Sequence, residues 1–149
     1  MVEAKAEMLI RKPVAEVFEA FVDPRLTTRF WFTRSSGKLR PGERIRWEWE
    51  MYGASADVDV KAVEENERIV VEWSAYGAPT VIEWTFTRYG SDATFVSIVN
   101  RGFSGDDAIG HALSSTEGFT LVLAGLKALL EHGIELNLVR DRFPGGAVA

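Results

Sequence analysis

Side chains able to do acid–base, nucleophilic or metal chemistry are sparse in this sequence, and their spacing works against them. His111 and His132 are the only two histidines. Neither stands at ligand spacing from the other or from a group of acids, so no zinc site is expected. His111 and Ser115 would meet on one face of a continuous helix as base and nucleophile. However, Ser114, which lies between them, forms with Glu117 a capping-box pattern that signals a helix start, and so a break. Asp57 and Asp59 share one strand face, as the acid pair of a glycosidase can, but that face lies opposite Val58 and Val60 and should be wet. Glu83 alternates outward from Ile82 and Trp84 in the same way. No dinucleotide fingerprint or phosphate loop occurs, and FSGDDAIG from Phe103 is too poor in glycine and basic residues to hold a phosphate. The absence of cysteine removes thiol, disulfide and iron–sulfur chemistry. No catalytic group is expected, and no metal or cofactor.

Charge gives a second kind of candidate. The formal net charge of -5 opposes non-specific binding of nucleic acid, which needs clustered cations. Yet Arg25, Arg29, Arg34, Lys38, Arg40, Arg44 and Arg46 fall in one stretch with Glu43 as its only acid. Acids from Asp57 to Glu72 can balance that stretch as a solvated face. Alternatively, it sets up a local positive field for an anionic ligand group.

The third kind is apolar. In RIRWEWEM, Arg44 to Met51, the residues Ile45, Trp47, Trp49 and Met51 alternate with charged ones, which is the mark of a strand with one buried and one wet face. Neighbouring segments repeat the pattern with Val58/Val60/Ala62, Ile69/Val71/Trp73 and Ile82/Trp84/Phe86 facing inward. ATFVSIVN is apolar on both faces, so its facing is open. These rows are either the plug of a core or the lining of a pocket.

The elements that must position them follow from period and punctuation. VEAKAEMLI, residues 2–10, reads as a first strand. Pro13 then opens a helix in which Val14, Val17, Phe18 and Phe21 recur at helical spacing, and Asp23-Pro24 ends it and caps a second short helix, PRLTTRFW. From Ser35 to Arg101 six β segments alternate with turns rich in Gly, Pro, Asn and Asp, short enough to make neighbours antiparallel. Ser104 is expected to cap a helix with Asp106 and Asp107 in its first turn. A second, long helix should run from Ser115 to His132, about 27 Å at 1.5 Å per residue, and stop at Gly133. Its apolar stripe is Phe119, Val122, Leu123, Leu126, Leu129 and Leu130.

With 149 residues, 46% hydrophobic and 26% charged, the chain suits one globular domain, residues 1–149. The N-terminus MVEAKAEMLIRKP lacks the apolar run of a signal peptide, and no segment approaches the length of a membrane span. A cytoplasmic protein without membrane insertion is expected.

Three stretches carry a family resemblance: KPVAEVFEAFVDPRLTTRFW from Lys12, RPGERIRWEWE from Arg40 and STEGFTLVLAGLKALLEHG from Ser115. In order and spacing they resemble the START-like (SRPBCC, polyketide cyclase) superfamily, and within it the single-domain proteins similar to Hsp90 ATPase activator homologues. The resemblance spans nearly the whole chain, although Pro41-Gly42 replaces a Gly-Gly of many relatives and Phe119 a tryptophan. It implies an α+β helix-grip fold: a curved antiparallel sheet wrapped around the long C-terminal helix, with two short helices after the first strand. It also implies a cavity between sheet and helix that takes a hydrophobic ligand such as a lipid, polyketide or aromatic metabolite. On that reading Trp47, Trp49, Val58, Val60, Trp73, Trp84 and Phe86 line the sheet side, and Phe119 and Val122 the helix side. Phe30, Trp31 and Phe32 stand at the entrance, with Arg29 and Arg34 for an anionic end. The same resemblance allows a cyclase- or aromatase-like enzyme using the cavity, a protein-interaction module, and a homodimer. Eukaryotic Hsp90 activators use a separate N-terminal domain to engage the chaperone. Nothing in this sequence corresponds to it, so co-chaperone activity is not expected.

Overall fold

The computed structural model describes residues 2–146. Strand β1 (Glu3–Ile10) leads through Pro13 into helix α1 (Val14–Val22) and the one-turn helix α2 (Pro24–Thr27). Val14, Val17, Phe18 and Phe21 are all buried, as their spacing requires. Asp23 joins the two helices. Its carboxylate accepts from the Arg25 amide at 3.0 Å and pairs with the Arg25 guanidinium at 2.7 Å. That guanidinium holds the carboxyl pKa down at about 2 against the opposing pull of burial, with help from the Arg25 amide and Lys38.

Strands β2 (Arg34–Ser35), β3 (Arg44–Trp49), β4 (Ala54–Glu64), β5 (Arg68–Tyr76), β6 (Ala78–Arg88) and β7 (Thr94–Arg101) form one antiparallel sheet with β1, in the order β1-β7-β6-β5-β4-β3-β2. Expected inward rows hold on β5 and β6, where Ile69, Val71, Trp73, Ile82, Trp84 and Phe86 are buried. Three details differ from the strict alternation read in the sequence. The first of the six expected β segments, SSGKLR from Ser35 to Arg40, is not a strand beyond Ser35, and the short strand there is Arg34–Ser35. β3 ends at Trp49, and Met51 falls in a 3-10 turn, Glu50–Tyr52, closed by Gly53 at φ +62°. β4 shifts register between Val60 and Ala62, so Val63, paired with Ile69, packs on the core where Ala62 was expected. β7 turns Thr94, Val96, Ile98 and Asn100 inward and leaves Phe95 and Val99 on the outer face.

The largest departure is helix α3, which runs unbroken from Ala108 to His132. Asp107 occupies its N-cap position, Ser104 caps nothing, and the box formed by Ser114 and Glu117 lies inside the helix. Ala112, Ser115, Phe119, Val122, Leu126 and Leu129 are buried along one stripe, so tertiary burial carries the helix through a local stop signal. By length and composition α3 can cross a membrane, contrary to the sequence expectation, but here its stripe is spent on the sheet. Gly125 lets the helix backbone approach Phe30, where an added Cβ would sit 3.4 Å from the Phe30 Cβ. Gly133 ends α3 at φ +65°, its amide donating to the Leu129 carbonyl at 2.9 Å. Near that end Lys127 donates to the Leu9 carbonyl at 2.8 Å, and Glu131 accepts from both Lys127 and the Arg11 amide. The chain then folds back through α4 (Leu138–Asp141) and a last 3-10 turn, Pro144–Gly146.

Candidate functional site

The concave face of the sheet has two halves, divided by Trp31. On one side the aromatic rings close against each other. Trp31 lies 4.8 Å from Trp47 and 6.1 Å from Trp84, Trp47 stacks on Phe32 at 4.9 Å, and Phe21 meets Trp84 at 5.8 Å. Trp47 and Trp84 are each only 1% exposed. On the other side Trp31 meets Phe119 at 5.6 Å, Trp73 at 6.2 Å and Trp49 at 6.3 Å, and there the rings border a cavity of about 620 Å³.

Sheet, helix and C-terminal segment all contribute walls. The sheet supplies Trp49, Ala54, Trp73 and Tyr76, and the 3-10 turn after β3 adds Tyr52. From α3 come Ser115, Gly118, Phe119 and Val122. Val139, Arg142 and Phe143 close the rim. They are held there by the Tyr52 hydroxyl, which donates to the Val139 carbonyl and at 2.9 Å to that of Arg140, and by the ion pair of Arg142 with Glu117. Among the described residues, Glu117 and Arg142 are the only charged side chains on the wall.

Of the residues expected at the site, Trp31, Trp49, Trp73, Phe119 and Val122 come together on this wall. Trp47, Trp84, Phe86, Val58 and Val60 lie instead in the closed half. Alternation places a residue on a face without saying how far along the strand the packing stays closed. Phe30 is buried against Phe21 at 5.5 Å, away from the cavity. Arg29 pairs with Glu135 at 3.2 Å beside a separate, smaller crevice. Arg34 stands opposite Glu48 on β3, hence on the face away from Trp47. Neither arginine reaches the cavity, and the basic stretch is largely spent on acids: Arg25 and Lys38 on Asp23, Arg44 and Arg46 on Asp57.

The polar side of the wall went unnoticed in the sequence apart from Ser115. Asn100, fully buried on β7, donates from Nδ2 to the Val81 carbonyl at 2.9 Å and to Thr80 Oγ1 at 3.0 Å. Its Oδ1 accepts from the Ser115 hydroxyl at 2.9 Å. His111 does not engage Ser115 even though the helix is continuous. It stacks on the Tyr76 ring at 5.0 Å and lies 3.6 Å from Asp107. Burial raises the Tyr76 phenol pKa, offset in part by the adjacent Ser115 hydroxyl. Strict alternation from Trp73 would put Tyr76 on the outer face. The register shift between them turns it inward instead, so the one sequence signal was its place before a turn glycine, Gly77. Nothing at the site resembles an acid pair. Glu83 is outward, its pKa lowered first by Arg68 and then, against the opposing effect of burial, by Arg101.

A family model described as Activator of Hsp90 ATPase homolog 1-like protein matches residues 11–131. No curated protein sequence matches the chain. Among solved structures, the protein SSP2350 from Staphylococcus saprophyticus is 31% identical over 91% of this chain and 96% of its own, with a TM-score of 0.79. DynU16, from the dynemicin biosynthetic locus, is 24% identical over 89% of this chain and 48% of its own, with a TM-score of 0.77. The Aha1 dimer from Colwellia psychrerythraea is 19% identical over 89% of this chain and 98% of its own, with a TM-score of 0.76. The last two likenesses concern the fold.

Proposed function

Because the chain belongs to the Activator of Hsp90 ATPase homolog 1-like family, within the START-like superfamily, we propose that it binds one apolar or amphipathic small molecule between its sheet and its long helix. One observation carries this reading: a cavity of about 620 Å³ bordered by Trp31, Trp49, Trp73 and Phe119 beside a fully packed aromatic core. Its size falls within the roughly 300–1,000 Å³ of small-molecule sites. What sets this cleft apart is its lining, which is mainly aromatic and apolar with few polar groups, as ligand sites are. Among lipids, polyketides and aromatic metabolites, an aromatic molecule suits the wall best, because four indole and phenyl rings offer faces and edges to it.

The test uses the neutral fluorophore N-phenyl-1-naphthylamine and a variant that fills the space. Gly118 is on the wall, and a Cβ added there meets nothing within 4 Å. Gly118→Phe should therefore fold normally and occupy the cavity. Saturable, one-to-one binding to the native protein and its loss in the variant are expected. Absence of saturable binding, or binding that survives in a folded Gly118→Phe, would falsify the proposal.

A further inference from the structure

Residues 138–146 form part of the cavity wall without belonging to the interior. Val139, Arg142 and Phe143 border the space, yet no residue of the segment is buried, and among them only the half-buried Val139 packs on the core. The backbone bonds here are local: the Asp141 amide donates to the Asn137 carbonyl and the Gly146 amide to that of Phe143. The approach from Gly133 to Asn137 is exposed throughout, tied by the exposed Arg29–Glu135 pair, and both its ends stand at positive φ, +65° and +57°. The segment is held over the cavity from both sides. On the sheet side the Tyr52 hydroxyl donates to the Val139 carbonyl and, at 2.9 Å, to that of Arg140, while its ring meets Phe143 edge-on at 5.8 Å. There too Gly146 lies so near the Met51 carbonyl that an added Cβ would stand 2.6 Å from it. On the helix side Glu117 pairs with Arg142. A segment fastened at a few points and unsupported by burial opens at lower cost than the elements it bridges.

The geometry points to a strap that closes on the bound molecule: opening of residues 138–146 and ligand binding are coupled, and an occupied cavity holds the segment shut. The inference rests on the binding function proposed above. A ligand lying against Trp49, Trp73 and Phe119 gains contact with Val139 and Phe143 only while the strap is fastened. It therefore binds the closed form more tightly and draws the segment toward it. The opposite walls cannot respond in this way, because Trp73, Phe119 and Val122 are buried parts of the core. By linkage, a strap that is open for more of the time costs the ligand affinity.

Trypsin reads the opening directly, because the bonds it cuts in the strap carry the fastenings. Cleavage after Arg140 must free the carbonyl that Tyr52 holds, and cleavage after Arg142 must free the side chain paired with Glu117. The rate of these cuts in the full chain, followed by intact mass, therefore tracks the open population. Saturating N-phenyl-1-naphthylamine should slow them roughly 5-fold or more, the lower end of the usual coupling between two sites, with a chromogenic peptide substrate showing that trypsin itself is unaffected. Tyr52→Phe removes the hydroxyl and keeps the ring. In the free protein it should speed the cuts roughly 2–10-fold, the worth of a net hydrogen bond. Gly146→Ala, at a residue off the cavity wall whose new methyl must move away from Met51, should speed them as well. If the fluorophore binds saturably and the strap is cut at an unchanged rate, if neither substitution speeds the cuts, or if no form is cut there, the segment is a passive tail and the cavity stands. If the fluorophore does not bind, the binding function falls and this inference with it.

Discussion

Trp47 and Trp49 sit two residues apart on one face of one strand, yet Trp47 is 1% exposed and stacked on Phe32 while Trp49 stands half-buried at the edge of a cavity. The difference is in what faces them. α1, α2 and the segment through Phe32 bring Phe18, Phe21, Phe30 and Phe32 against one half of the sheet. The other half is faced by α3 and the returning C-terminal segment, whose contributions there include Gly118 and Ser115, too small to fill the space. Side chains of one type thus divide into support and surface according to the bulk opposite them.

Substitutions on either side of Trp31 put that division to the test. Trp47→Ala should lower the free energy of unfolding by about 3–5 kcal/mol, measured by urea denaturation, because a closed aromatic cluster cannot collapse into the space left. Asp23→Ala should cost about 1–2 kcal/mol through loss of the α2 cap beneath the same half. Because the folded pKa of Asp23 lies at about 2, below its ordinary 3.8, its contribution is complete above about pH 4 and disappears as pH falls through about 2. The cost of the substitution should shrink across that window. Trp49→Ala should cost about 1 kcal/mol, with most of its effect on ligand affinity. A cost equal to that of Trp47→Ala would erase the division. Smallest, and opposite in sign, Gly118→Ala should raise stability by about 0.5–1 kcal/mol, since a mid-helix glycine gains propensity and its new methyl meets nothing. A loss there would mean the open half is closed in solution.

Much of the frame was legible because it depends on local period and punctuation. Val14, Val17, Phe18 and Phe21 mark α1, Asp23 caps α2, Gly133 stops α3, and alternation on β5 and β6 names the buried face. The site was legible only by half. Trp31, Trp49, Trp73, Phe119 and Val122 could be assigned to it from the family resemblance. Trp47 and Trp84 could not be told from them, because depth along a strand depends on elements distant in sequence. Tyr76 was hidden by a register shift, and the continuity of α3 through Ser115 by a capping pattern that burial of neighbouring residues overrides. Val139, Arg142 and Phe143 carry no periodic signal. They matter because Tyr52 and Glu117 hold them at the rim.

The clasp between α3 and β1 also bears on self-association. An open sheet has two rims, and an uncovered strand rim is a template for another chain to extend. At one rim β2 is only two residues long, too short to recruit a partner. At the other β1 runs for eight residues, but where it ends the Leu9 carbonyl is taken by Lys127 and the Arg11 amide by Glu131. Burial works to raise the Glu131 pKa, but the Arg11 amide and Lys127 outweigh it and keep the carboxyl below its usual range. The remaining outward positions, Glu3, Lys5 and Glu7, are charged. A helix that forms one wall of the cavity thereby also guards the longer rim against edge-to-edge aggregation.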